Sequence, residues 1–106
     1  MLLRRADINP NTTDTFSDRT RLSWASESGD EGAVKLLLVQ KDIDPNATDA
    51  LYNRTPLSWA AGSGHEGVVK LLLERDNVDA NIPNLIGETA IELAVSRGHT
   101  GVVELL

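Results

Sequence analysis

One sequence motif occurs three times in the chain. The fullest copy runs from Thr55 to Leu73 and reads TPLSWAAGSGHEGVVKLLL. Similar copies begin at Thr20 and Thr89, so the copies follow one another at intervals of about 35 residues. A unit of this length cannot bury its apolar face until neighbouring units stack against it. The repeat therefore predicts a stacked array rather than one closed core.

The repeat also divides the chain into parts of a single domain over residues 1–106. The letters before Asn11 match those before Asn46 and Asn81, and Leu106 falls inside the leucine run that ends each unit. Both ends thus have the pattern of a longer array that has been cut. We expect the tail of a preceding unit over residues 1–11, complete units over residues 12–46 and 47–81, and a truncated unit over residues 82–106.

Each unit contains two short stretches with helical spacing. In the middle unit, residues 57–61 form a narrow apolar stripe and residues 68–73 a wider one. Thr55 followed by Pro56 is typical of a helix start, and Gly64 is typical of a left-handed helix end. The pattern predicts an all-α, helix-turn-helix solenoid with short β-turn or hairpin connections.

Two sets of connector positions are predicted to adopt a left-handed backbone. Two residues before each repeat threonine stand residue types that tolerate positive φ, which indicates a β-turn or small hairpin. These residues are Asp18, Asn53 and Gly87. After the second helix no glycine is present, so we assign the left-handed stop to Asp7, Asp42 and Asn77.

The apolar positions of the units predict two layers of packing. Between units we expect Leu22, Leu57, Ile91, Ala25, Ala60 and Ala94. Between the two helices of a unit we expect Leu36, Leu37, Leu71, Leu72, Leu105 and Leu106. Replacement of Leu71 by Ala is then expected to cost about 2–5 kcal/mol of stability.

Composition excludes several classes of protein. The formal net charge is −6 and no basic cluster occurs, which argues against a nucleic-acid partner. No apolar run is long enough to span a bilayer, and no signal peptide is recognisable. The absence of cysteine excludes disulfides and thiolate zinc sites. We expect an intracellular protein, cytoplasmic or nuclear, without a membrane partner.

No residue pattern indicates catalysis, a cofactor or a metal site. His65 and His99 recur at the start of the second helix, which favours a structural cap or a backbone hydrogen bond over acid–base or metal roles. Glu31 and Glu66 stand in the first turn of that helix, where an acidic side chain suits the helix dipole. We therefore do not expect an enzyme.

The phrase from Thr55 to Leu72, TPLxxAAxxGHxxVVxLL, resembles the ankyrin repeat, and the resemblance covers nearly all of residues 12–106. The family's usual histidine after its Thr-Pro-Leu is replaced by Ser23, Ser58 and Glu92, so the threonine hydrogen-bond network should be smaller or different. The Ser-Trp-Ala variant and a longer connector resemble arrays of fungal multidomain signalling proteins. The resemblance implies protein binding through the hairpin tips and the concave face of the first helices.

Candidate partner-binding residues come from both regions. Large apolar residues break the repeat pattern at the tips, where they are suited to binding hot spots, although they could also pack on the next tip. These are Phe16, Leu51, Tyr52, Leu85 and Ile86. Arg19, Arg54 and Glu88 precede the threonines and face the same side. The resemblance adds Glu27, Ser63 and Arg97 on the concave face. Trp24 and Trp59 are candidates either for the groove or for packing between repeats.

Two functions fit this pattern. The first is a protein-interaction module for an unidentified partner protein. The alternative is a structural spacer or regulatory scaffold for an effector domain in a larger multidomain protein. Uncapped ends at Leu2, Leu3, Val102 and Val103 also predict either end-to-end self-association or fraying.

Overall fold

The computed structural model describes residues 10–14 and 17–106, and it contains three successive helix pairs. The pairs are α1 (Arg21–Ser28) with α2 (Glu31–Leu38), α3 (Pro56–Ser63) with α4 (Glu66–Leu73), and α5 (Ala90–Ser96) with α6 (Thr100–Leu105). Within these residues the only β-type pairing is a single antiparallel bridge between Thr13 and Thr20. The predicted all-α class with short hairpin connections is confirmed.

The helices form two layers. In the first layer α1 packs on α3 and α3 packs on α5, and in the second α2 packs on α4 and α4 packs on α6. The molecule accordingly measures 46 × 25 × 22 Å along its principal axes. Each apolar stripe is covered by a neighbouring pair as well as by its own partner helix, as stacking requires.

The first helices begin where the threonines predict. The side chains of Thr20 and Thr55 accept hydrogen bonds from the backbone N–H groups of Ser23 and Ser58, at 3.1 Å in both cases. These bonds satisfy donors that have no partner inside the helix. Pro56 occupies the first turn of α3, where its missing N–H costs no hydrogen bond.

α1 and α3 end at glycines, α5 ends at Arg97, one residue before Gly98, and the second helices end differently from the prediction. Gly29 and Gly64 both have φ of 77°, as expected for a left-handed cap. Asp42 and Asn77 do not have positive φ, so the predicted left-handed stop is wrong there, and Asp7 lies outside the described residues. The backbone instead leaves α2 and α4 through right-handed turns, which need no residue with a left-handed preference.

The core confirms most of the packing prediction and corrects three positions. Leu22, Leu57, Leu72 and the alanines of the first helices are buried. The prediction that Leu36 packs between the helices is wrong, since its side chain is 71% exposed on α2. The prediction that Ile91 packs between units is also wrong, since its side chain is 39% exposed. α5 packs against α3, and no further helix pair covers the other side of α5 in this structure. Val102 is buried rather than bare, and Leu2 and Leu3 lie outside the described residues.

Candidate functional site

Three hairpin tips project before the first helices. The backbone N–H groups of Asp14, Asp49 and Asn84 donate to the carbonyls of Arg19, Arg54 and Glu88 at 3.1, 3.2 and 2.8 Å. Inside these hairpins Asp18 and Asn53 have φ of 55° and Gly87 has φ of 85°, which confirms the predicted positive-φ positions. The second and third tips are therefore defined turns rather than loose loops.

Neighbouring tips contact each other through the backbone while their large side chains stay accessible. Ala50 N–H donates to the Ser17 carbonyl and Leu85 N–H donates to the Tyr52 carbonyl, both at 2.8 Å. Leu85 and Ile86 are nevertheless 72% and 77% exposed, and Leu51 and Tyr52 are about half exposed. The predicted exposure of these four side chains is confirmed. The fifth predicted tip residue, Phe16, lies outside the described residues.

Arginine and aromatic side chains alternate along the first helices. The guanidinium carbon of Arg19 lies 3.7 Å from the ring centroid of Trp24 and 3.9 Å from that of Trp59. The guanidinium carbon of Arg54 lies 4.7 Å from the Trp59 centroid and 5.3 Å from the Tyr52 centroid. Tyr52 and Trp59 meet edge to face with centroids 5.9 Å apart. These contacts combine cation–π and aromatic attraction, and they connect adjacent repeats.

Aspartates at the base of the tips orient the two tryptophans. The indole Nε1–H of Trp24 donates to Asp14 Oδ2 at 3.0 Å, and that of Trp59 donates to Asp49 Oδ2 at 2.9 Å. The other oxygen of Asp49 accepts from the backbone N–H of Tyr52 at 2.6 Å. Tip and helix are thereby joined in one hydrogen-bonded unit. Trp59 is buried and Trp24 is about half exposed.

All three guanidinium nitrogens of Arg19 make hydrogen bonds or an ion pair within the chain. Its Nε–H donates to Ser23 Oγ at 3.2 Å, Nη2 donates to the Ser23 carbonyl at 3.2 Å, and Nη1 forms an ion pair with Glu27 at 2.8 Å. Its side chain is only 6% exposed. Arg19 and Trp59 are consequently buried in contacts within and between repeats.

Arg54 has the same place in the next repeat but a different environment. Its Nε atom is buried and no atom of the described residues accepts its proton. Burial, followed by the positive charge of Arg97, lowers the pKa of Arg54, while Asp49 and Glu88 act in the opposite direction. Arg97 is exposed and donates to the Gly62 carbonyl at 3.1 Å. The charges of Glu88 and Arg97 therefore both act on the guanidinium group of Arg54.

The remaining predicted concave residues lie beside this group. Glu27 is partly exposed and holds Arg19, and Ser63 is half-buried at the end of α3. The position one repeat after Glu27 is occupied by Gly62, which has no side chain. On the concave face, the charge of Arg19 is thus neutralised by Glu27, whereas the charges of Arg54 and Arg97 are not paired with a carboxylate among the described residues.

The histidines make backbone hydrogen bonds between repeats. His65 Nε2 lies 2.8 Å from the Glu27 carbonyl and His99 Nε2 lies 3.1 Å from the Gly62 carbonyl, so each ring N–H donates to the preceding first helix. This confirms the predicted backbone role. Among residues 10–14 and 17–106 no group of three His, Asp or Glu side chains is placed to hold a metal ion.

The hydrogen bonds of the repeat threonines differ between the second and third repeats. Thr55 Oγ1 donates to Ser58 Oγ at 3.1 Å. In the third repeat Glu92 accepts from both the backbone N–H and the hydroxyl of Thr89, at 3.0 Å each. The backbone bond, then the hydroxyl bond, lowers the pKa of Glu92 because both stabilise its charged form. Ser58 and Glu92, at equivalent repeat positions, thus bond to the threonine in different ways.

Sequence reasoning missed a set of asparagine bridges between repeats. Asn46 Nδ2 donates to the Asn77 carbonyl at 2.7 Å and its Oδ1 accepts from Asp79 N–H at 2.8 Å. Asn11 makes the corresponding pair of bonds to Asp42 and Asp44. The recurrence of asparagine at residues 11, 46 and 81 was the available signal. It indicates a residue that clamps the next connector rather than a merely polar loop.

Stacked helix pairs with hairpin tips define the class of this protein as a helical-repeat solenoid. The family model described as ankyrin repeats matches residues 22–106 in three copies. Since the match spans most of the 106 residues, the chain belongs to the ankyrin-repeat family. A search of curated proteins found no sequence that matches the chain. Ankyrin repeats are in general non-catalytic protein-interaction modules.

No helix in the described part of the chain combines the length and apolar character needed to cross a bilayer.

Proposed function

We propose that this chain binds a partner protein through its hairpin tips and the concave face of α1, α3 and α5. The binding surface, called here the tip–groove surface, consists of Trp24, Glu27, Leu51, Tyr52, Arg54, Ser63, Leu85, Ile86, Glu88 and Arg97. Arg19 and Trp59 support it from beneath. The observation that carries the proposal is the exposure of Leu85 and Ile86 on a backbone-bonded tip.

Rigid presentation of apolar side chains favours binding. The second and third tips are closed by hydrogen bonds and joined by the bond from Leu85 N–H to the Tyr52 carbonyl, so little backbone entropy remains to be lost on association. Tyr52, Leu85 and Ile86 line one shallow hollow together with Arg54. Tyr and Arg, which both line this hollow, are enriched in binding hot spots.

The alternative function, a spacer or scaffold for an effector domain, makes a different demand on the tips. A spacer needs tips that are polar or packed flat, because exposed Leu and Ile side chains favour unwanted association. The exposure of Leu85 and Ile86 thus supports the interaction module over the spacer.

The tip residues can be tested against matched apolar residues elsewhere. The double variant Leu85→Ser/Ile86→Ser is compared with Leu36→Ser/Val39→Ser, which removes equally exposed apolar side chains from α2 and its end. Proteins cross-linked to each variant in an extract of the source cells are quantified. We expect recovery of bound proteins to fall at least about tenfold for the tip variant, as for a hot spot, and to persist for the α2 variant.

Circular dichroism supplies the folding control for both variants. Equal recovery by the tip variant and the wild type, at equal helicity, would refute the tip–groove surface as the binding site. Loss of recovery by both variants to the same degree would also count against it, because the effect would then follow general apolar loss.

A further inference from the structure

We propose that Arg54 and Arg97 form a carboxylate-binding site on the concave face, which receives an Asp or Glu side chain of the partner protein. The inference rests on the proposed function and specifies the chemistry of the partner at the tip–groove surface. An aliphatic residue close to that acidic residue would occupy the neighbouring hollow at Leu85 and Ile86.

The preceding repeat contains an internal version of this interaction. Arg19 precedes its repeat threonine as Arg54 does, and both guanidinium groups lie against Trp59. Glu27 satisfies Arg19 with an ion pair of 2.8 Å that lies at the concave end of α1. A carboxylate at this place in the repeat is therefore compatible with the arginine geometry.

The middle repeat lacks the internal carboxylate. Gly62 stands one repeat after Glu27, so α3 provides no acidic side chain at the corresponding place. Arg19 Nε donates to Ser23 Oγ, whereas Arg54 Nε makes no such bond to Ser58, whose Oγ accepts from Thr55. Arg54 Nε consequently stays buried without an acceptor in the described structure.

Arg97 extends into the space that the glycine leaves. It donates to the Gly62 carbonyl, and a Cβ atom built on Gly62 would lie 3.4 Å from Arg97 Nη1. Arg97 thus borders the position that Glu27 fills one repeat earlier, and its positive charge acts on that of Arg54. Paired arginines offer several forked donors, which suit the two oxygens of a carboxylate.

The acidic groups nearest Arg54 are engaged elsewhere. Asp49 accepts bonds from the Trp59 indole and the Tyr52 backbone, and Glu88 accepts from the Asn84 amide at 3.3 Å. In the described part of the chain no carboxylate lies within 4.0 Å of Arg54 or Arg97 as an ion-pair partner. The pair therefore remains basic on a chain of net charge −6.

The same two acidic groups favour a singly charged ligand over a phosphate. Asp49 and Glu88 are close enough to act on the charge of Arg54. They would repel a phosphate group, with about −1.5 to −2 charges at pH 7, more strongly than a carboxylate with one. The internal precedent at Glu27 points the same way, since it is itself a carboxylate.

A peptide array tests the assignment with defined probes. Capped nine-residue peptides carry Glu, Asp, Gln or phosphoserine at the centre, with the flanking positions varied among Leu, Ile, Tyr and Ser. Binding of the full 106-residue chain is measured by fluorescence anisotropy. We expect the best Glu or Asp peptides, with an aliphatic neighbour, to bind at least about tenfold more tightly than their Gln counterparts, as for a charge-assisted hydrogen bond.

Two variants localise the effect. Arg97→Gln should remove most of the preference for Glu over Gln, whereas Lys70→Gln, which makes the same charge change at an exposed position of α4, should leave it intact. Gly62→Glu supplies an internal carboxylate and should abolish binding of the acidic peptides. Gly62→Gln, of matching size but neutral, should reduce it less. Far-ultraviolet circular dichroism verifies that each variant retains its helices.

Several results would overturn the carboxylate site. These are equal affinity for Glu and Gln peptides, preference for phosphoserine, equal effects of Arg97→Gln and Lys70→Gln, or no binding by any acidic peptide. The proposed function is judged separately, by protein recovery with the Leu85→Ser/Ile86→Ser variant. Recovery lost in that variant but unaffected by Arg97→Gln would retain the interaction module and reject the carboxylate site.

Discussion

Arg19 and Arg54 demonstrate that one residue type at one repeat position can have two different environments. Both are placed by the threonine that follows and by the face of Trp59. Glu27 forms an ion pair with the first, whereas Gly62 stands at the corresponding place beside the second, which has no ion-pair partner among the described residues. The difference is decided by residues distant in sequence, because the guanidinium reaches across to the far end of the first helix.

Ser26 provides a prediction at the scale of a single atom. Its side chain is fully buried and no described residue accepts or donates a hydrogen bond to its Oγ, while Ala61 occupies the same place in the next repeat. A buried hydroxyl without a partner costs desolvation energy, so Ser26→Ala should raise the free energy of unfolding by about 1 kcal/mol. Urea denaturation measures the change.

Ser23→Ala is the matched control. Ser23 Oγ accepts a hydrogen bond from Arg19 Nε, and its loss should lower the free energy of unfolding. If Ser26→Ala destabilised the chain as much as Ser23→Ala, the account of an unsatisfied hydroxyl at residue 26 would be wrong.

At the scale of helices, burial along the leucine run determines which residue stabilises the stack. Leu72 is fully buried on α4, Leu71 is partly buried, and Leu36 on α2 is exposed. Leu72→Ala should therefore cost about 2–5 kcal/mol, more than Leu71→Ala. Leu36→Ala should change stability by no more than about 0.5 kcal/mol, as for a surface substitution. Thermal and urea unfolding provide the comparison.

Equal losses of stability for Leu36→Ala and Leu72→Ala would contradict this packing.

The connectors add specific hydrogen bonds to the nonspecific leucine contacts. Asn46 clamps the following connector, and Arg75 donates to the Leu38 carbonyl at the end of α2. Such bonds fix the offset between pairs, which apolar contact alone determines less sharply.

At the scale of the molecule, the outer side of the third pair has exposed apolar surface. Ile91 and Val95 of α5 are exposed, although Val102 is buried. We predict that the 106-residue chain self-associates through this face, since repeat arrays without a polar end unit expose what a neighbour would cover. Sedimentation velocity should show an average mass that rises with concentration.

The double variant Ile91→Lys/Val95→Lys is the control and should sediment as a monomer over the same range. Salt should strengthen association of the wild type, because the net charge of −6 opposes contact between copies. A concentration-independent monomer for the wild type would show that the exposed α5 face does not mediate self-association.

Much of this protein was determined by local sequence. Threonine caps, glycine stops and positive-φ turn positions depend on the backbone of a few successive residues, so they were predictable at Thr55, Gly64 and Asn53. The period of the repeat then implied a stack, because no unit could bury its own apolar stripe. Exposure of Leu51, Tyr52, Leu85 and Ile86 followed from their place at the tips.

Tertiary structure decided which residues at matching repeat positions are buried and which are exposed to solvent. The burial of Arg19 and Trp59, the exposure of Leu36 and the proximity of Arg54 to Arg97 depend on neighbours about one repeat away. A sequence pattern specifies the residue at each repeat position, but it does not specify which side chain from the next unit reaches it. Contacts between stacked units made that choice, since burial and charge depend on distances in space rather than along the chain.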